Sequence, residues 1–374
     1  MSVPCKEASL YIHIPFCSVL CPFCDFYKVG VDSELEQHFI DACCKEIRLY
    51  KKNPPIKIPT IFLGGGTPSI LKKKHLQLLF ETIHDTFDTS ALKECSIEAN
   101  PEDISEDYLK TLQELGFTRL SLGVQSFNEK ECHFLGRGHD VNTSIHALNL
   151  IKTFPFTLSI DLMYGLPNSN WTSIEHSLKQ ALEFSPQHLS TYCLSIEPNT
   201  VFFKKKIKSA GQEKEYHFYN KCMTFLKKQG FTHYEVCSFA KKNHECIHNK
   251  RYWTFKDFIG IGPSAHSLIF PYKYSNTPSL KQYIKNPTPS LFQKEKPLLT
   301  QKDLIIENII ANLRMPKGIN IHKFNTRYSI SIKDTFKHAL EVAEKQKWLH
   351  INEKSISTTE KGLYLLDEVC LLFV

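Results

Sequence analysis

A chain of 374 residues is long enough for one large domain and a smaller one. Its 42% hydrophobic and 23% charged residues lie in the ordinary globular range, which excludes a disordered or fibrous protein. The formal net charge of +7 is carried largely by Lys72-Lys73-Lys74, Lys204-Lys205-Lys206 and Lys241-Lys242, which read as solvated faces and make nucleic acid an unexpected partner.

The first residues carry Lys6, Glu7 and His13 among apolar ones, unlike a signal or transit peptide. No apolar run reaches the ~18 residues of a bilayer span, so stable membrane insertion is not expected and the location is read as cytoplasmic. Six short apolar, strand-like runs then follow in order, at 10–14, 60–63, 95–99, 119–123, 158–163 and 188–195. Longer helical patterns come between them: at 34–50, Leu35, Phe39, Ile40, Cys43 and Ile47 recur near one face. Alternating strand and helix predicts an α/β fold, a partial (β/α)6 barrel whose chemistry sits where the strands end. The alternation stops near Phe202. Two amphipathic helices at 304–313 and 334–346 and strands at 348–351 and 355–358 predict a winged-helix-like C-terminal domain. The expected division is a core over 1–235, an extension and linker over 236–299, with the Pro- and Ser-rich stretch 271–297 as the linker, and a last domain over 300–374.

Thirteen cysteines without an export signal are expected to be thiols or metal ligands. Cys17, Cys21 and Cys24, spaced C-x3-C-x2-C, follow the first strand directly. Zinc normally takes four ligands in pairs, for which only His244 and Cys246 could be proposed. Ordinary ferredoxin clusters take four cysteines; a [4Fe-4S] cluster held by three keeps one iron open to the amino and carboxylate groups of S-adenosylmethionine (SAM), whose C–S bond one electron from the cluster would cleave.

The segment Tyr11-Ile12-His13-Ile14-Pro15-Phe16-Cys17 leading into this triad resembles the radical SAM superfamily, in the branch of oxygen-independent coproporphyrinogen III dehydrogenases and related heme chaperones. The likeness runs on through Gly64-Gly65-Gly66-Thr67-Pro68-Ser69, Glu98-Ala99-Asn100-Pro101, Gly123-Val124-Gln125-Ser126-Phe127, Leu135-Gly136-Arg137-Gly138-His139, Asp161-Leu162-Met163-Tyr164-Gly165-Leu166-Pro167 and His248-Asn249-Lys250-Arg251-Tyr252-Trp253. The resemblance implies a cluster on Cys17, Cys21 and Cys24 and a SAM site built from Tyr11, Phe23, Gly65, Gly66, Thr67, Glu98, Gln125, Arg137 and Asp161. Glycines at a strand end let backbone N–H groups approach a ligand, carboxylates in the barrel mouth accept from hydroxyl or amino groups or serve as internal ion-pair partners, and an arginine fork suits a carboxylate. His13 has no assigned role beyond a structural one.

Two departures separate this chain from the dehydrogenases. Phe26 stands where they carry a fourth cysteine, and the 1–10 stretch is too short for their substrate cover. The HNxxYW segment instead resembles the chaperones, and its His248 is the expected heme ligand. The expectation is a heme chaperone with cluster, SAM and heme as cofactors and heme-accepting apo-proteins as partners, without coproporphyrinogen III dehydrogenase activity. A true dehydrogenase and, from the winged-helix-like tail and basic charge, a tRNA-modifying enzyme are the alternatives.

Overall fold

The computed structural model describes residues 5–292 and 299–374. Six strands, β1 (Ser9–Ile14), β2 (Thr60–Gly65), β3 (Glu94–Ala99), β4 (Arg119–Gln125), β5 (Thr157–Tyr164) and β6 (His188–Cys193), lie side by side in chain order and parallel throughout. Helices cross between them. In the first crossover Asp32 accepts hydrogen bonds from the Glu34 and Leu35 N–H groups and starts the helix Ser33–Leu49, whose Phe39, Ile40, Cys43 and Ile47 are buried. Helix cover buries one face of the strands, where Leu10, Ile12, Ile14, Ile61 and Leu63 are fully buried, while alternate residues such as Ser96, Glu98, Ser121, Ser159 and Asp161 line a cavity on the other face.

The sheet is open, and it does not end at β6. Five further strands join it: β7 (Thr232–Glu235), β8 (Ser238–Ala240), β9 (Phe258–Ile261), β10 (His266–Ile269) and β11 (Tyr272–Ser275), giving the order β11-β10-β9-β1-β2-β3-β4-β5-β6-β8-β7. The added strand β9 runs parallel to β1, while β8 runs antiparallel to β6. The regular alternation does stop near Phe202, as expected, but the five strands that follow were not read from the sequence. Strands of three or four residues carry too little periodicity to be recognised. The linker expected at 271–297 is another difference. As far as residue 292 it forms β11 and the helix Leu280–Lys285, and Leu280, Tyr283 and Leu291 belong to the main core; 293–297 lie outside the described residues.

After Thr300, whose hydroxyl caps the helix Gln301–Leu313 in a reciprocal bond with Asp303, comes a second, smaller core. The antiparallel strands Leu349–Ile351 and Ser355–Thr358 are joined by a third, Ile319–Asn320, and the helix Ile321–Tyr328 was not expected. Phe255 and Leu268 pack into this second core and tie it to the sheet.

Candidate functional site

The C-terminal ends of the strands open into two adjoining cavities. The first, of about 270 Å³, is lined by Cys17, Cys21 and Cys24 together with Phe23, Gly65, Gly66, Thr67, Glu98, Gln125, Arg137 and Asp161. Thus residues separated by over a hundred positions, all singled out from sequence, meet here. Tyr11 does not line this cavity. It lines the second, of about 730 Å³, and its hydroxyl bonds to Nδ1 of His13 at 3.1 Å. Glu98, Asp161, Ser121, Phe26 and Tyr192 line both.

The cysteine loop is held at several points. Phe16–Cys17 pairs with Val29–Gly30 and closes the loop on itself. Nε2 of His13 bonds to the Tyr27 carbonyl at 2.9 Å, which gives this histidine its structural role. The Thr67 hydroxyl donates to Cys17 Sγ at 3.4 Å, and Asn100 Nδ2 donates to that hydroxyl in turn. Arg137 donates to Cys21 Sγ at 3.2 Å, to Asn100 Oδ1 at 2.5 Å and to the Gly123 carbonyl at 2.9 Å, leaving its buried Nε unpartnered among the described residues. Lys28 donates to the Cys24 carbonyl at 2.6 Å.

Burial pushes the Cys17 and Cys24 thiols up, against the pull of the Thr67 hydroxyl on the first and the Lys28 charge on both. Three sulfurs beside two cations suit a metal that deprotonates them. Among the described residues no three His, Cys, Asp or Glu side chains converge as ligands of one ion do. Cys246, proposable with His244 as a second zinc-ligand pair, is buried and donates to Glu94 Oε1 at 3.4 Å, and it lines the second cavity rather than the first.

The glycines also meet constraints from within the chain. A Cβ on Gly66 would lie 2.7 Å from the Phe16 carbonyl oxygen and 2.9 Å from Cys17 Sγ, so its bareness makes room for the cysteine loop as well as for a ligand. At Gly65, with φ of +113°, a Cβ would meet the His13 ring. Its N–H donates to Glu98 Oε2 at 3.1 Å. Burial, and then the charge of Asp161, push the Glu98 carboxyl up to about 8, while burial raises Asp161 although the Ser190 and Ser121 hydroxyls oppose this. Neither forms an ion pair among the described residues. Two buried carboxyls without an ion-pair partner, of which only Asp161 feels the charge of Arg119, fit at the junction of the cavities a ligand bringing ammonium, sulfonium or hydroxyl groups.

His248 is not presented as a free ligand. Its ring is fully buried, Nδ1 bonds to the Thr60 hydroxyl at 2.9 Å and Nε2 to the Tyr252 hydroxyl at 2.7 Å, and burial lowers it to about 3. Sequence reasoning also missed Lys28, Asn100, Ser121 and Tyr192 as lining residues. Asn100 lies in a quoted motif and Lys28 four positions after Cys24, so both had a signal; Ser121 and Tyr192 had none.

Comparison with known proteins agrees with this geometry. Residues 11–181 match the model of the Radical SAM superfamily, and residues 299–365 that of the HemN C-terminal domain. The heme chaperone HemW of Bacillus subtilis (strain 168) is 33% identical over 369 residues, covering 96% of this chain and 97% of that protein. The chain belongs to the HemW family of radical SAM proteins. The HemW of Escherichia coli (strain K12) is 36% identical over 270 residues, 70% of this chain and 71% of that one. A solved structure described as coproporphyrinogen III oxidase (HemN) from Escherichia coli, a radical SAM enzyme, superposes with a TM-score of 0.84 at 27% identity, covering 99% of this chain and 90% of that chain. Membership of this superfamily implies a [4Fe-4S] cluster and SAM, and the thiol-lined cavity fits both.

Proposed function

We propose that this chain is a heme chaperone that binds heme beside a cluster and SAM and hands it to acceptor proteins in the cytoplasm. The observation that carries this reading is the continuity of a small, thiol-lined cavity with a second one of about 730 Å³ walled by Tyr11, Phe62, Tyr252, Trp253 and Phe258. Aromatic walls around a space within the ~300–1,000 Å³ of organic-ligand pockets suit a flat macrocycle. The relatives named heme chaperones support the same reading.

Cys17, Cys21 and Cys24 would hold the cluster, which together with SAM supplies one-electron chemistry. Arg137, Thr67 and Lys28 keep the three sulfurs in place and balance their charge. Gly65, Gly66, Thr67, Gln125 and Phe23 would border SAM, with Glu98 and Asp161 receiving its polar groups; Tyr11, on the far side of Glu98, would face heme and SAM alike. That all thirteen cysteines are free thiols supports a reducing compartment, and no helix among the described residues is long and apolar enough to cross a membrane. The divisions at 236 and 300 belong to this proposal, and an apolar core built mostly of residues after Thr300 supports the second of them.

The likeness to HemN favours a second reading, decarboxylation of coproporphyrinogen III. One anaerobic experiment separates the two. The reconstituted chain should hold about four irons, fall well below that in Cys21→Ala, and bind hemin one to one. Release of carbon dioxide from coproporphyrinogen III at enzyme-like turnover would replace the chaperone with the dehydrogenase.

A further inference from the structure

Four histidines line the larger cavity: His13, His188, His248 and His266. An iron ligand must offer an unprotonated ring nitrogen free of other bonds. His13 has both nitrogens engaged, by Tyr11 and the Tyr27 carbonyl. His188 is bonded to the Ser159 hydroxyl at 2.8 Å and the Tyr234 hydroxyl at 2.9 Å, and it is buried. His248 is likewise closed at both nitrogens, by Thr60 and Tyr252. His266 differs. It opens β10 as an exposed residue whose ring makes no hydrogen bond among the described residues; partial desolvation, with the charge of Lys273 next and that of Glu307 opposing, lowers its pKa.

Its position is built by the hairpin of β10 and β11. Strand alternation puts His266 and Leu268 on one face, and Leu268 stands opposite Lys273. An imidazole and an ammonium therefore share the face turned to the cavity, and Lys273 is held by an ion pair with Glu307 from the C-terminal domain. An imidazole without a hydrogen bond among the described residues and an ammonium already engaged by a carboxylate suit a metallated macrocycle whose own carboxylate would take the place of Glu307 on Lys273.

We propose that His266, not His248, is the protein ligand to the heme iron, with Lys273 receiving a propionate. This rests on the heme-chaperone reading. In it, the His248–Thr60–Tyr252 cluster shapes the wall without touching iron.

The test is hemin titration of the full chain after anaerobic cluster reconstitution, with iron and sulfide measured before hemin is added. His266→Ala should keep its cluster, since it removes an exposed side chain with no bonds. Its hemin affinity should fall about tenfold or more, with a moved Soret band that added imidazole returns to its wild-type position. Lys273→Gln should weaken affinity without moving the band, which a merely structural loss at His266 would not reproduce. His248→Ala with its cluster retained should keep the wild-type band. Wild-type affinity and spectrum in His266→Ala would overturn the inference while leaving the chaperone intact, as would loss of the wild-type band in His248→Ala alone. A wild-type chain that binds no hemin would take the inference and the chaperone reading down together.

Discussion

Single residues differ here in how far their chemistry follows from their type. Three thiols at C-x3-C-x2-C spacing carry their meaning locally, whereas a histidine's depends on what reaches its two nitrogens. Glu46 is a further case. Fully buried on the helix Ser33–Leu49, it accepts from the Gly262 N–H at 3.0 Å, Asn276 Nδ2 at 2.8 Å and the Tyr283 hydroxyl at 2.5 Å, yet burial outweighs these bonds and raises it from 4.5 to about 7. The folded chain then keeps this proton up to about pH 7, while the unfolded chain releases it near 4.5. Between those values the folded state binds more protons, so stability should decline as pH rises across the window and level off above it, by at most about 3 kcal/mol. Denaturant titrations from pH 4.5 to 8 should show this slope in wild type and a flatter one in Glu46→Gln. An identical slope in both would assign the titration to another group.

At the scale of elements, the end of β2 and the cysteine loop form one unit. The Gly66 N–H donates to the Ile14 carbonyl at 2.7 Å and the Thr67 N–H to the Phe16 carbonyl at 2.8 Å, so the glycine-rich turn is bonded to the strand that delivers Cys17. A methyl group at Gly66 would press on both Phe16 and Cys17. Gly66→Ala is therefore expected to cost about 1–3 kcal/mol and to lower iron content as well as SAM affinity. Iron analysis and SAM titration of the same preparation check this. Full iron content with weakened SAM binding alone would mean that the turn serves the ligand and not the loop.

Across the whole molecule, the C-terminal domain helps to wall the larger cavity through Glu307 and Ala311 on the helix Gln301–Leu313. Arg314 at the end of that helix lies over the Trp253 ring, 4.3 Å from its centre. A bulkier side chain at 311 should fill part of the cavity far along the chain from the cysteine loop. Ala311→Trp is expected to reduce hemin affinity about tenfold, with iron content and SAM binding unchanged. Unaltered hemin binding would place heme outside this cavity.

The six parallel strands and the cysteine triad were legible because they rest on local periodicity and close spacing, whereas the glycine turn and the carboxylates were singled out through the family resemblance. Tertiary structure decided the rest. Whether a histidine is free depends on partners distant in the chain: Thr60 and His248 are 188 positions apart, and Ser159 and His188 lie on neighbouring strands. The strands β7 to β11 are three or four residues long and are held by pairing within the larger sheet, so their own residues carry little pattern. The pairing of β9 with β1 lets the hairpin that follows bring His266 beside a cavity whose other walls come from β1 to β6, the helix Ile247–Trp253 and the C-terminal domain.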